Sequence, residues 1–127
     1  GSIEENEENL RLLLGAWTAA REFKKAISVI DVLAPLTGEG KLYIQKAMLL
    51  NESGDWEGVQ EATEKALTDQ ELENPGDVYI LRGMAQTELG NYAQAISSFT
   101  QAMEIGTETN KRNAEAWIDY VSDRKGS

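Results

Sequence analysis

The stretch "QTELGNYAQAISSFTQAMEI", residues 86–105, decides the fold. One glycine interrupts an otherwise helical pattern, and Tyr92, Ala95, Phe99 and Ala102 then follow at steps of three and four, the spacing of a single helix face. Trp56, Val59, Thr63 and Ala66 repeat those offsets 36 residues upstream, and Phe23, Ala26, Ile30 and Leu33 repeat them 33 residues before that. The series aromatic, small, apolar or Thr, small or Leu therefore recurs three times at a period of about 34, as in an array of stacked helical hairpins.

A second helical segment precedes each copy. Leu10, Leu13, Leu14 and Trp17 form the first, Tyr43, Ala47 and Leu50 the second, and Tyr79, Gly83 and Ala85 the third, each on one face. Gly54 and Gly90 fall just past the second and third of these, where a left-handed residue closes a helix without a Cβ penalty. Asp55 and Asn91 follow as expected caps of the next helix. The pattern predicts seven helices, at about 5–20, 23–35, 40–53, 56–69, 75–89, 92–105 and 111–123, with "LTGEG" and "QELENPGD" as linkers and Pro75 in the first turn of the fifth.

Composition agrees and narrows the functions open to the chain. Its 127 residues, 41% hydrophobic, give one domain with a core; only two prolines and many Ala, Leu, Glu, Gln and Lys favour helix. A net charge of -10 with no basic block argues against nucleic acid and anionic membrane as partners. No apolar run is long enough for a membrane span, so direct insertion is not expected. The absence of cysteine and histidine removes thiolate nucleophiles, the usual zinc ligands and the commonest general base. No enzyme, cofactor or metal is expected.

Four local motifs have plainer readings. "GEGK", residues 38–41, would need glycine at Pro35 and Ser or Thr at Leu42 to be a phosphate loop, and an interhelix turn accounts for it. Asp69, Glu71, Glu73 and Asp77 lack the alternating ligands and central glycine of a calcium loop. Asn51-Glu52-Ser53 is a formal glycosylation sequon at a helix end, and the serines lack a nucleophile context. The bulky aromatics Tyr43, Trp56, Tyr79 and Tyr92 occupy positions where the repeat itself needs volume.

These residues resemble the tetratricopeptide repeat family, over roughly residues 7–121. The third copy carries the resemblance best, through Tyr79, Gly83, Ala85, Leu89, Gly90, Tyr92, Ala95, Phe99 and Ala102. Arg82 departs from a usual leucine, Thr63 from an aromatic and Val59 from alanine, and no proline ends the repeat after Ile105. The implied fold is all-α: an α-solenoid of three helical hairpins, about 7–38, 40–72 and 75–106, plus a C-terminal capping helix at about 111–123, within one domain spanning 3–125. Trp117, Tyr120 and Val121 are expected to cover Phe99 and Ala102, leaving Asp119, Asp123, Arg124 and Lys125 to water.

The resemblance also implies a function, binding of a partner's peptide or helix along the concave face, and the offsets that contact it. Carried over, these are Arg11, Gly15 and Thr18 in the first copy; Lys41, Ile44, Met48, Asn51 and Glu52 in the second; and Asp77, Ile80, Met84, Thr87 and Glu88 in the third. Glu115, Ile118 and Ser122 extend the row. Ile44, Met48, Ile80 and Met84 are the informative ones, because the fold does not require apolar residues at solvent-facing offsets. Gly15, Met48, Ile80 and Leu81 stand where a carboxylate clamp needs polar or basic groups, so that chaperone role is not expected. Glu52, Glu88 and Glu115 would rim the groove with negative charge and favour an apolar partner with some basic residues.

The N-terminal end is expected to behave differently. Leu10, Leu12, Leu13, Leu14 and Trp17 are apolar almost all round their helix, with no cap before them. Gly1-Ser2 and Gly126-Ser127 read as expression scars, and the chain is expected to end a longer array whose bare N-terminal edge, in isolation, packs on another copy or stays poorly ordered. A narrower resemblance, carried by residues 73–105 and 112–121, is to the C-terminal part of repeat proteins accompanying TonB-type systems of Gram-negative bacteria. It implies a periplasmic location; composition alone fits the cytoplasm equally.

Overall fold

The recurrence becomes three hairpins of helix and a final helix. The structure, a computed structural model, describes residues 3–125, with backbone alone for residues 3–5. The hairpins are α1 (Ile3–Ala19) with α2 (Phe23–Thr37), α3 (Gly40–Ser53) with α4 (Trp56–Ala66), and α5 (Pro75–Glu88) with α6 (Tyr92–Ile105). The chain closes with α7 (Glu108–Lys125), and no strand occurs among the described residues. The two suspected scars lie outside the described residues.

Each hairpin is closed by the same turn. Gly54 and Gly90 take left-handed φ values of 78° and 79°, and Arg21, the corresponding residue of the first hairpin, does so at 60°. In all three the next amide reaches back five residues: Glu22 to Trp17, Asp55 to Leu50 and Asn91 to Gln86. The residue before it bonds three back, completing the left-handed helix stop. The first of these turns was not legible, because arginine does not announce a positive φ.

Helix ends depart from expectation for local reasons. α2 runs through Pro35 to Thr37 and stops at Gly38, φ 70°, so Leu36 and Thr37 of the expected linker are helical. α4 ends at Ala66 instead of residue 69, because Thr68 and Asp69 amides turn back onto Lys65 and Ala66 carbonyls. Asp55 caps α4 as expected, its Oδ1 accepting the Gly58 amide at 3.0 Å, whereas Asn91 makes no cap bond to α6. α7 starts early, at Glu108, because Thr107 and Asn110 bond each other reciprocally: the Asn110 amide donates to Thr107 Oγ1, and Thr107 N–H donates to Asn110 Oδ1.

The core forms as three clusters in series, as expected of units that bury surface only against their neighbours. The first joins Leu14, Ala26, Ile30, Leu33 and Leu42, the second Ala47, Val59, Ala62 and Ala85, and the third Ala95, Phe99, Ala102, Ala114 and Val121. α7 seals the last with Val121 buried and Trp117 stacked on Phe99, ring centroids 5.5 Å apart. Tyr120 is a correction: it stays exposed, edge-on to Trp117 and under the Arg124 guanidinium.

At the other end the apolar girdle of α1 divides. Leu14 is buried and Leu10 and Trp17 pack on the first cluster, whereas Leu12 and Leu13 remain exposed. Val32 and Leu36 of α2 are exposed as well.

Candidate protein-interaction groove

Two glycines bring the groove together. Gly40 opens α3, and a Cβ there would sit 2.8 Å from the Ala66 carbonyl oxygen and 2.8 Å from Asp69 Cβ. Without one, the α4–α5 loop lies on the start of α3, and Asp69 ties it down: its Oδ2 accepts the Gly40 amide at 2.8 Å and its Oδ1 the Glu71 amide at 3.0 Å. These bonds, the Gly40 one foremost, hold the Asp69 carboxyl below the usual aspartate range. Gly76, 36 residues on, repeats the device at the start of α5, where a Cβ would run into Asn110 Oδ1 and Gly106 Cα. Buried Asn110 then donates through Nδ2 to Asp77 Oδ1 at 2.7 Å, locking α7 onto α5.

Between these joints runs an open trough of about 880 Å³. One wall is α3, through Lys41, Ile44 and Met48; the other is α5, through Asp77, Ile80, Leu81 and Met84. The α4–α5 loop closes one end with Asp69, Glu71, Leu72 and Glu73, and Asn110 and Asn113 of α7 stand beside them. A shallower depression between α1 and α3, about 350 Å³, is lined by Arg11, Gly15, Lys41 and Gln45.

Among the residues singled out from the sequence, Lys41, Ile44, Met48, Asp77, Ile80 and Met84 meet in the trough. The remainder do not. Asn51, Glu52 and Glu88 lie on the last turns of α3 and α5, beyond its lining. Thr87 is buried and its hydroxyl donates to the Gly83 carbonyl. Ile118 packs against the third core cluster. Thr18 donates to the Leu14 carbonyl, and Glu115 and Ser122 are exposed outside the trough.

Negative charge also sits elsewhere than expected. Glu52, Glu88 and Glu115 do not line the trough; Glu39, Asp69, Glu71, Glu73 and Asp77 do. Three of those carboxylates are held by their neighbours. Asp69 grips amides, Asp77 accepts from Asn110, and Glu39 accepts from Arg11 of α1 at 2.8 Å with Lys41 at 3.8 Å. Glu71 and Glu73 are exposed, with no ion pair among the described residues. The sequence did mark the acidic run 69–77, but not that Gly40 folds it over the head of α3.

Ile80 and Met84 are half-buried against the third core cluster, so the fold gives them a partial reason to be apolar. Met48 has none, being 58% exposed on the opposite wall.

With this geometry in view, comparison with known proteins is informative at the level of fold. No protein-family model matches the chain, and no curated protein does. Solved structures do match. Yeast Tom70 superposes with a TM-score of 0.82 at 17% identity, over 98% of this chain and 25% of Tom70. PcrH, in complex with the chaperone binding region of PopD, gives 0.76 at 18% identity, covering 98% and 97%. The TPR2B domain of yeast Sti1, in its pHsp70 complex, gives 0.73 at 18% identity, covering 93% and 97%. The fold is thus the helical solenoid seen in tetratricopeptide-repeat domains.

Proposed function

We propose that the chain is a non-catalytic scaffold that holds a peptide or helix of a partner protein in the trough between α3 and α5. The observation that carries this is Met48, an exposed apolar side chain facing Ile80 and Met84 across an open channel. Flexible, polarizable methionines on such walls suit adaptable recognition of an apolar segment. The complexes of PcrH and Sti1 support the reading, since chains of this fold take up segments of other proteins. The acidic lining supports a partner that is apolar with some basic residues.

The narrower sequence resemblance, over 73–105 and 112–121, supports a periplasmic setting and a partner from a TonB-type machinery. A second reading is favoured by a separate observation, the exposure of Leu12, Leu13, Val32 and Leu36 at the first hairpin. That edge would join copies of the chain to one another.

One pair of substitutions separates the two. Met48→Glu is tolerated by the fold because the side chain is exposed, and it abolishes partner capture while leaving the sedimenting mass unchanged. Leu12→Glu with Val32→Glu leaves capture intact. The self-association reading wins if the edge variant lowers the mass and Met48→Glu captures as well as the parent.

A further inference from the structure

The trough differs from one end to the other. Asp69 ties the α4–α5 loop to the head of α3, and the same loop leads into the head of α5 at Pro75, so both walls begin at one end. Every acidic group of the lining is at that end, whereas Met48 and Met84 each stand seven residues further along their helix. At the helical rise of 1.5 Å per residue, Lys41 to Met48 and Asp77 to Met84 each span roughly 10 Å.

Local stability accounts for part of the acidic end. Acidic groups beside helix N-termini offset the dipole, which suffices for Glu39 and Asp77, and Asp69 is committed to amides. It accounts least for Glu71 and Glu73. They cap no helix, pair with no base among the described residues, and face the same channel as the methionines. The single ammonium in the lining, Lys41, is already beside Glu39.

Resting on the scaffold reading above, we propose that the trough binds a basic amphipathic segment in one direction. A lysine or arginine of the segment lies at the loop end against Glu71, Glu73 and Asp77, and its apolar anchor lies between Met48 and Met84. Base and anchor, roughly 10 Å apart, fall seven positions apart in a helical segment and three in an extended one. Charge complementarity fixes the direction, because the reverse placement sets the base on methionines and leaves the carboxylates unpaired.

The experiment is selection from a displayed library of short randomised peptides against the parent chain, followed by fluorescence anisotropy with the strongest binder. Expected are binders rich in Lys or Arg at a fixed offset from an apolar residue. Exchanging that base for glutamine, or making E71Q/E73Q, weakens binding by roughly two- to fivefold at low salt, and the two changes together cost little more than either alone. Met48→Glu weakens binding of every peptide selected. Apolar binders with no basic preference, unaffected by E71Q/E73Q yet lost in Met48→Glu, overturn the directional inference and leave the scaffold reading standing. Binders indifferent to Met48→Glu as well, or no binders, overturn both.

Discussion

The ring of Phe99 occupies the space that a side chain on residue 83 would need: a Cβ built on Gly83 would lie 2.6 Å from Phe99 Cε1. Trp117 stacks on the same ring, its plane 11° from parallel. One repeat earlier the corresponding residues are Ala47 and Thr63, both buried. A larger residue on the first helix goes with a smaller one on the second. The Thr63 hydroxyl donates to the Val59 carbonyl at 2.8 Å.

Gly83→Ala therefore overpacks and costs about 1–3 kcal/mol in urea unfolding. Phe99→Leu makes room, so the double variant loses less than the sum of the singles, with a coupling of about 0.5–3 kcal/mol. Strict additivity would mean that the two residues do not share the space.

The three hairpin turns give substitutions of opposite sign. Gly54→Ala and Gly90→Ala force a Cβ into left-handed backbone and each cost about 1–2 kcal/mol. Arg21→Gly relieves the same strain at φ 60°. It forfeits a guanidinium 5.0 Å from the Phe23 ring centroid, a surface contact of about 0.5–1 kcal/mol, so the net gain is about 0–1.5 kcal/mol. Thermal denaturation checks all three, and a lower melting temperature for Arg21→Gly would contradict the account.

Asp55 and Asn91 occupy equivalent places but only the first caps a helix. Asp55→Ala is expected to cost about 1 kcal/mol and Asn91→Ala clearly less. Equal losses would show that the side chain of Asn91 does cap α6 in solution.

The Asp69 clasp predicts a pH dependence. Its folded pKa is lowered by the Gly40 and Glu71 amides from an ordinary 3.8, so its stabilisation is present above 3.8 and is lost as pH falls through the lower folded value. Asp69→Asn should melt below the parent at neutral pH, with the gap closing as the solution is acidified past 3.8. A gap that persists in acid would place the effect in packing instead of charge.

What the sequence revealed follows from which features are local. Helical spacing made the core faces of α2, α4 and α6 readable, and Gly54 and Gly90 marked turns because only glycine takes that backbone without strain. Arg21 hides the same turn. Lys41, Ile44, Met48, Asp77, Ile80 and Met84 were named in advance only through the family resemblance, which implies those offsets on the first helix of each pair. The acidic end was not, because it depends on one hairpin's loop resting on the previous hairpin's first residue, a contact permitted by Gly40. Nor did sequence reveal that Thr87 and Ile118 turn inward.

The trough itself is tested most directly by methyl NMR. The chain has three methionines, Met48 and Met84 on the trough walls and Met103 on α6 outside its lining. With methyl-labelled methionine, addition of a peptide selected for binding should shift or broaden the Met48 and Met84 resonances and leave that of Met103 in place. Unchanged Met48 and Met84 signals in the presence of saturating peptide would contradict the account.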